Sequence, residues 1–169
     1  MNAEQLKAAQ APLKARYKEE PEAARWTLSA RGRLGSDRPT VRLESGHGRV
    51  EAGLHPATGG NGLEACSGDM LLESLAACSG VTLKSVATAM GIEIRQGLVI
   101  AEGDLDFRGT LGVDKDVPVG FTAIRLRFEL DTDASEAQLD SLLRLAERYC
   151  VIYQTLKQPP LLSVTRSRI

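Results

Sequence analysis

The stretch that most constrains this chain is residues 67–91, SGDMLLESLAACSGVTLKSVATAMG, the longest run with helical periodicity. At about 100° per residue, Asp69, Glu73, Gly80, Lys84 and Thr88 fall on one narrow face. Leu71, Leu75, Cys78, Thr82 and Val86 fall on the opposite side, and Leu72, Ala76, Leu83, Ala87 and Met90 widen the apolar surface. A helix apolar over most of its circumference is surrounded by protein. The pattern predicts a buried central helix with Cys78 on its inward side. Ser67 is the expected N-cap, Asp69 suits the positive end of the dipole, and Gly91 is the expected stop.

The remainder of the chain has to enclose that helix. A length of 169 residues fits one domain with a short appendage, and 43% hydrophobic with 25% charged residues is ordinary for a soluble globular protein. The net charge of −1 gives no reason to expect nucleic acid or an anionic membrane surface as partner. No apolar run is read as approaching the ~20 residues of a membrane span. The opening MNAEQLKAAQ lacks the apolar core of a secretory signal. The cytoplasm is therefore the expected compartment, where Cys66, Cys78 and Cys150 would be reduced at rest.

Residues 2–19 read as an amphipathic helix interrupted by Pro12, so residues 1–20 form an N-terminal helical extension and 21–169 the domain. Strands are expected at 25–34, 40–44 and 49–54, with turns at 35–39 and 45–48. Residues 55–66 read as a loop whose Gly59, Gly60 and Gly62 permit close backbone approach or positive φ. After the helix, strands are expected at 92–96, 98–108 and 122–130, with a polar loop at 109–117. The last of these strands alternates cleanly. Ile124, Leu126, Phe128 and Leu130 share one face, and Arg125, Arg127 and Glu129 the other. A second helix opens near Asp133, where Asp133 with Glu136, or Ser135 with Gln138, has capping-box spacing. Leu139, Leu142, Leu143, Ala146 and Cys150 form its apolar stripe. Residues 151–157 read as its continuation, Pro159 and Pro160 as its end, and 161–169 as a closing strand. This order is α+β, with antiparallel sheets wrapped around two central helices.

Cys78 and Cys150 thus sit on the inward faces of two helices. Taken singly, each reads as a small buried hydrophobe. No metal is expected, because there is no CxxC, and His47 and His55 lie in loops without ligand spacing. Taken together they suit a thiol pair. One thiolate attacks an electrophilic oxygen, the other condenses with the resulting sulfenic acid, and an external thiol resets the pair.

The segments LLESLAACSGVTL and AERYCVIYQTL resemble the two signatures of the osmotically inducible and organic hydroperoxide resistance (OsmC/Ohr) family. The resemblance covers roughly residues 25–169. It implies an intertwined homodimer with the reactive sites at the interface. It also implies a thiol-dependent peroxidase acting on organic hydroperoxides, with Cys78 peroxidatic, Cys150 resolving, no cofactor, and a lipoyl-type dithiol as reductant. In the peroxidase branches an arginine near the first hairpin activates the thiolate, held by a glutamate ahead of the cysteine helix. Arg31 and Arg33 are the candidates here, Arg31 preferred, and Asp69 is the acidic candidate. Three departures stand out. Gly68 occupies the place of the glutamate, Asp69 lies one position later, and Val151 replaces the proline that often follows the second cysteine. They support the alternative of an OsmC-like stress or small-molecule-binding dimer with little or no peroxidase activity. Cys66 has no counterpart in the pattern.

Overall fold

The computed structural model describes residues 2–28, 30–34, 41–45 and 48–168. The expected turn at 35–39 and the tip of the turn at 45–48 lie outside the described residues. Helix α1 (Ala3–Glu19) opens the chain, with Asn2 and Gln5 forming a capping box. It runs through Pro12, which corrects the expected interruption. One missing amide is tolerated on a helix with no buried residues, where the carbonyl left without a donor meets water.

Strands β1 (Arg31–Leu34), β2 (Val41–Ser45) and β3 (Gly48–Gly53) form an antiparallel meander, and the two-residue β4 (Ala65–Cys66) pairs with β3 in parallel. Two expectations change here. The first strand is four residues long, because Pro21 starts a 3₁₀ turn over Pro21–Ala24 and residues 25–28 do not pair. The sheet is also not purely antiparallel. In the 55–66 loop, Gly59 and Gly62 have positive φ, and a Cβ on Gly60 would lie 1.7 Å from the Leu54 carbonyl oxygen. Only glycine fits there.

Helix α2 (Ser67–Met90) is the central helix the sequence predicts, and Gly91 closes it at φ 70°. Its N-cap is Cys66 rather than Ser67. The expected strand at 92–96 does not start at Ile92. That residue's amide bonds to Ala87 O at 2.9 Å and its side chain is buried, so Gly91 and Ile92 are consumed in ending the helix. Strand β5 (Gln96–Asp104) then pairs with β6 (Ala123–Asp131) over its whole length. β6 alternates half-buried and exposed residues as read from sequence. The predicted strand end at 105–108 is replaced by a turn of helix, α3 (Phe107–Thr110), because the Asp106 carboxylate accepts the Arg108 amide at 3.0 Å.

Helix α4 (Glu136–Tyr149) uses the Ser135–Gln138 capping box. Asp133 is instead paired with Arg95 at 2.6 Å. Residues 151–157 are a separate helix, α5 (Val151–Lys157), not a continuation. Residues 159–168 form no strand, and Leu161, Leu162 and Val164 are almost fully exposed. A strand needs a hydrogen-bonding neighbour, and this segment has none among the described residues.

The core lies where α2 packs on α4, built from Leu83, Ala87, Ile92, Leu142 and Ala146, with Phe128 and Leu130 of β6 against it. On α2 the fully buried row is Leu75, Ser79, Leu83 and Ala87. From Ser79 on, that is one residue later than the expected row through Cys78, Thr82 and Val86. The offset leaves Cys78 half-buried instead of enclosed. By length and composition alone, α2 is also apolar enough to cross a membrane, which corrects the sequence expectation. In this fold it packs against α4, α5 and β5.

Candidate active site

The site begins with a break between two helices. At Cys150 the backbone is extended (φ −74°, ψ 111°), so α4 ends and α5 starts again with Cys150 as its N-cap. The Cys150 amide still bonds to Ala146 O at 3.0 Å, and the first bond inside α5 runs from the Gln154 amide to Cys150 O at 3.0 Å. The amides of Val151, Ile152 and Tyr153 are therefore left without helical acceptors. The Tyr153 amide donates to Cys150 Sγ at 3.4 Å. The Val151 and Ile152 amides and the Cys150 thiol are among the groups that pull the Cys78 thiol down, so the two cysteines influence each other at the start of α5.

Around them, Ser79 Oγ lies 3.2 Å from Cys150 Sγ, and both residues are 1% exposed. The Thr82 hydroxyl donates to Cys78 O at 2.8 Å. Burial pushes the Cys78 thiol up. The Ile152 amide, the Cys150 thiol, the Val151 amide and the Thr82 hydroxyl together outweigh burial and hold it below its ordinary value. Cys78 is thus inclined to ionise, and its half-exposure lets a reactant reach it. Cys150 is sealed.

This shift has a consequence for stability. A group that ionises more readily when folded binds fewer protons in the folded state than in the unfolded one across the window between its two ionisations. Its contribution is present above the ionisation of the unfolded thiol, near pH 8.5, and is lost as pH falls through the folded one. The stability of the reduced protein relative to Cys78→Ser is expected to rise with pH approaching that value. Urea midpoints of both proteins across neutral to mildly alkaline pH read it, and a flat or falling difference contradicts it.

An apolar cavity of about 640 Å³ lies between α2, β6 and α5, with neither cysteine in its wall. Its walls include Leu71, Leu75, Phe121, Ile124, Leu126, Tyr153 and Leu156, with Lys157 contributing a charge. Leu75 and Tyr153 stand one helical turn from Cys78 and Cys150 respectively. The Tyr153 hydroxyl donates to Glu147 at 3.2 Å. Burial, and then the Glu147 charge, push that phenol up.

Arg31 and Arg33 are on β1, Asp69 is in the first turn of α2, and none of them is among the groups acting on Cys78. Asp69 lines two other cavities, one with Cys66 and His55, and neither includes Cys78. Within one chain, the described groups that pull the Cys78 thiol down include the backbone amides of Val151 and Ile152 in α5. Sequence reasoning missed them because nothing at Cys150 signals a break; there is no glycine or proline. Ser79 did carry a signal, as a polar residue on the row Leu75–Leu83–Ala87. Among the described residues, no group of three or more His, Cys, Asp and Glu side chains could hold a metal.

Comparison places this geometry in a family. The family model described as OsmC-like protein matches residues 59–165. No curated protein matches the sequence. The fold is similar to that of an OsmC-like protein from Mycoplasma pneumoniae, at 20% identity and TM-score 0.66 over 79% of this chain and 89% of that one. It is similar to an organic hydroperoxide resistance protein OsmC from Legionella pneumophila, at 18% identity and TM-score 0.62 over 80% and 92%. OhrB of Bacillus subtilis, an organic hydroperoxide resistance protein, follows at 20% identity and TM-score 0.53 over 79% and 93%. At these identities the structures speak for the fold alone, while the family model spans more than half of the chain. The chain is an α+β protein that belongs to the OsmC-like family.

Proposed function

We propose that this protein is a two-cysteine, thiol-dependent peroxidase that reduces organic hydroperoxides, working as a homodimer in the cytoplasm. One observation carries the reading: a half-exposed thiol inclined to ionise stands beside a sealed second thiol. The Cys78 thiolate attacks the terminal peroxide oxygen. The O–O bond breaks, an S–O bond forms, and the alkoxide leaves and takes a proton to become the alcohol. Cys78 is then a sulfenic acid. Cys150 attacks the Cys78 sulfur, the S–S bond replaces S–O, and its proton departs in water. An external dithiol reaches the exposed sulfur, Cys78, and releases Cys150, so the dithiol is oxidised as the protein is reduced. The apolar cavity lined by Leu75 and Tyr153, each one helical turn from a cysteine, favours an alkyl-bearing hydroperoxide over hydrogen peroxide, since each Å² of apolar surface buried contributes about 25 cal/mol.

The dimer is supported by apolar side chains left in solvent around the pair. Val81, Tyr149 and Val151 are 71%, 58% and 67% exposed. Such surface next to a site marks an interface, and the exposed apolar tail at Leu161, Leu162 and Val164 adds to it.

The test is stopped-flow consumption of cumene hydroperoxide with a dithiol reductant, by wild type and Cys78→Ser. Removal of the nucleophile is expected to abolish the reaction, a loss of roughly 10³-fold or more. Equal inertness of the two proteins would sink the reading. That result would favour the second one, an OsmC-like stress or small-molecule-binding dimer without peroxidase activity. Its own support is that Gly68 stands where the peroxidases carry glutamate and that no arginine among the described residues is among the groups acting on Cys78.

A further inference from the structure

Among the described residues, Ser79 is the one buried polar side chain of the helical core. Its hydroxyl meets the sulfur of Cys150 at 3.2 Å and sits on the same wall of α2 as Leu75 and Leu83, whose burial keeps water out. A polar group sealed in an apolar row costs stability unless it is bonded. Either atom of the pair can donate. The surroundings choose. The Tyr153 amide donates to Cys150 Sγ, and once Cys150 is a thiolate it has no proton to give. The Cys150 sulfur therefore acts as the acceptor, and the Ser79 hydroxyl as the donor.

From this we infer that Ser79 is a positioning residue for the second sulfur, holding Cys150 in place and stabilising the negative charge that gathers on it when the disulfide closes and when it reopens. The inference rests on the peroxidase reading above and adds a role within it. In closure, Cys150 attacks the Cys78 sulfenic sulfur. S–S forms, S–O breaks, and the Cys150 proton leaves with the hydroxide as water. In reopening, a dithiol attacks Cys78 Sγ and Cys150 departs as the thiolate. Both steps place charge on a sulfur that has no solvent to receive it. Two fixed donors, the Ser79 hydroxyl and the Tyr153 amide, take the place of water. The first oxidation, at Cys78, does not involve that charge.

Ser79→Ala removes the donor without adding volume, and Ser79→Thr restores a hydroxyl. After one equivalent of cumene hydroperoxide, quenched samples are read by mass spectrometry for sulfenic acid and disulfide. Ser79→Ala is expected to oxidise Cys78 at the wild-type rate and to close the disulfide about tenfold more slowly, with Ser79→Thr recovering most of the rate. Equal closure rates in Ser79→Ala and wild type, or equal slowing of both steps, overturn the inference, since a purely structural defect does not separate them. A second arm needs no peroxidase activity. The disulfide is formed with diamide and its reduction by dithiothreitol is timed. Ser79→Ala is again expected to be about tenfold slower, and equal rates refute the role. If wild type ignores the hydroperoxide, the peroxidase reading fails while this arm still decides the role of Ser79.

Discussion

Cys150→Ser is expected to yield a protein whose Cys78 is oxidised once and whose cycle then stops. Serine preserves the local structure. Its hydroxyl can cap α5 by accepting the Tyr153 amide, as the sulfur does, and it can donate to the Cys78 thiolate. The Val151 and Ile152 amides remain aimed at Cys78. The first burst of hydroperoxide consumption is therefore retained. Closure is not, because it needs a second sulfur. Well-oriented groups within one molecule behave as if present at effective concentrations of about 10⁵ M and above. A dithiol at millimolar concentration, even at a far better angle than chance, cannot match that. Turnover is expected to fall on the order of a thousandfold. The stranded sulfenic acid then advances to sulfinic acid when hydroperoxide is in excess. Intact-mass measurements after one and after many equivalents read both outcomes. Wild-type turnover by Cys150→Ser would mean that a different thiol, Cys66 or one on a partner, resolves Cys78.

The parts of this arrangement legible in the sequence are those set by local periodicity. Residues 67–91 announced α2 and its glycine stop, residues 122–130 announced β6, and Ser135 with Gln138 announced the start of α4. Each follows from spacing of apolar residues or from a cap within a few positions. What was not legible depends on contacts between distant segments. The restart at Cys150 has no glycine or proline to mark it, and it arises where α4 meets α2 and the Cys150 sulfur accepts the Tyr153 amide. The closing strand at 161–169 reads well from composition, yet a strand exists only with a neighbour. The rotation of α2 by one position, which exposes Cys78 and buries Ser79, is decided by which face α4 takes. Arg31 and Asp69 were chosen by resemblance. Asp69 lies on the face of α2 opposite Cys78, so its part in the site depends on contacts that helical spacing does not show.

Leu142→Ala carries the largest expected cost to stability. Leu142 is 0% exposed and stands at the centre of the cluster with Leu83, Ala87, Ile92 and Ala146. Truncation of a buried leucine removes transfer energy and leaves a cavity, typically about 2–5 kcal/mol together. A site fully enclosed by two helices collapses poorly, so a loss of about 3–4 kcal/mol is expected, against a total of roughly 5–15 kcal/mol for a domain. Val113→Ala, at a side chain 72% exposed, is the control and is expected to change stability by less than about 0.5 kcal/mol. The cost also reaches the thiols. Leu142, Ala146 and Cys150 follow one another at intervals of four on α4, so the contact that Leu142 makes with α2 sets the height and angle at which Cys150 meets Cys78. Disulfide closure is therefore expected to slow even in the fraction of Leu142→Ala that remains folded. Urea denaturation gives the first quantity, and quenched-flow alkylation at a temperature where the variant is folded gives the second. A stability change below about 1 kcal/mol would mean that α2 and α4 are held together from elsewhere. The fixed meeting of the two sulfurs would then need another cause.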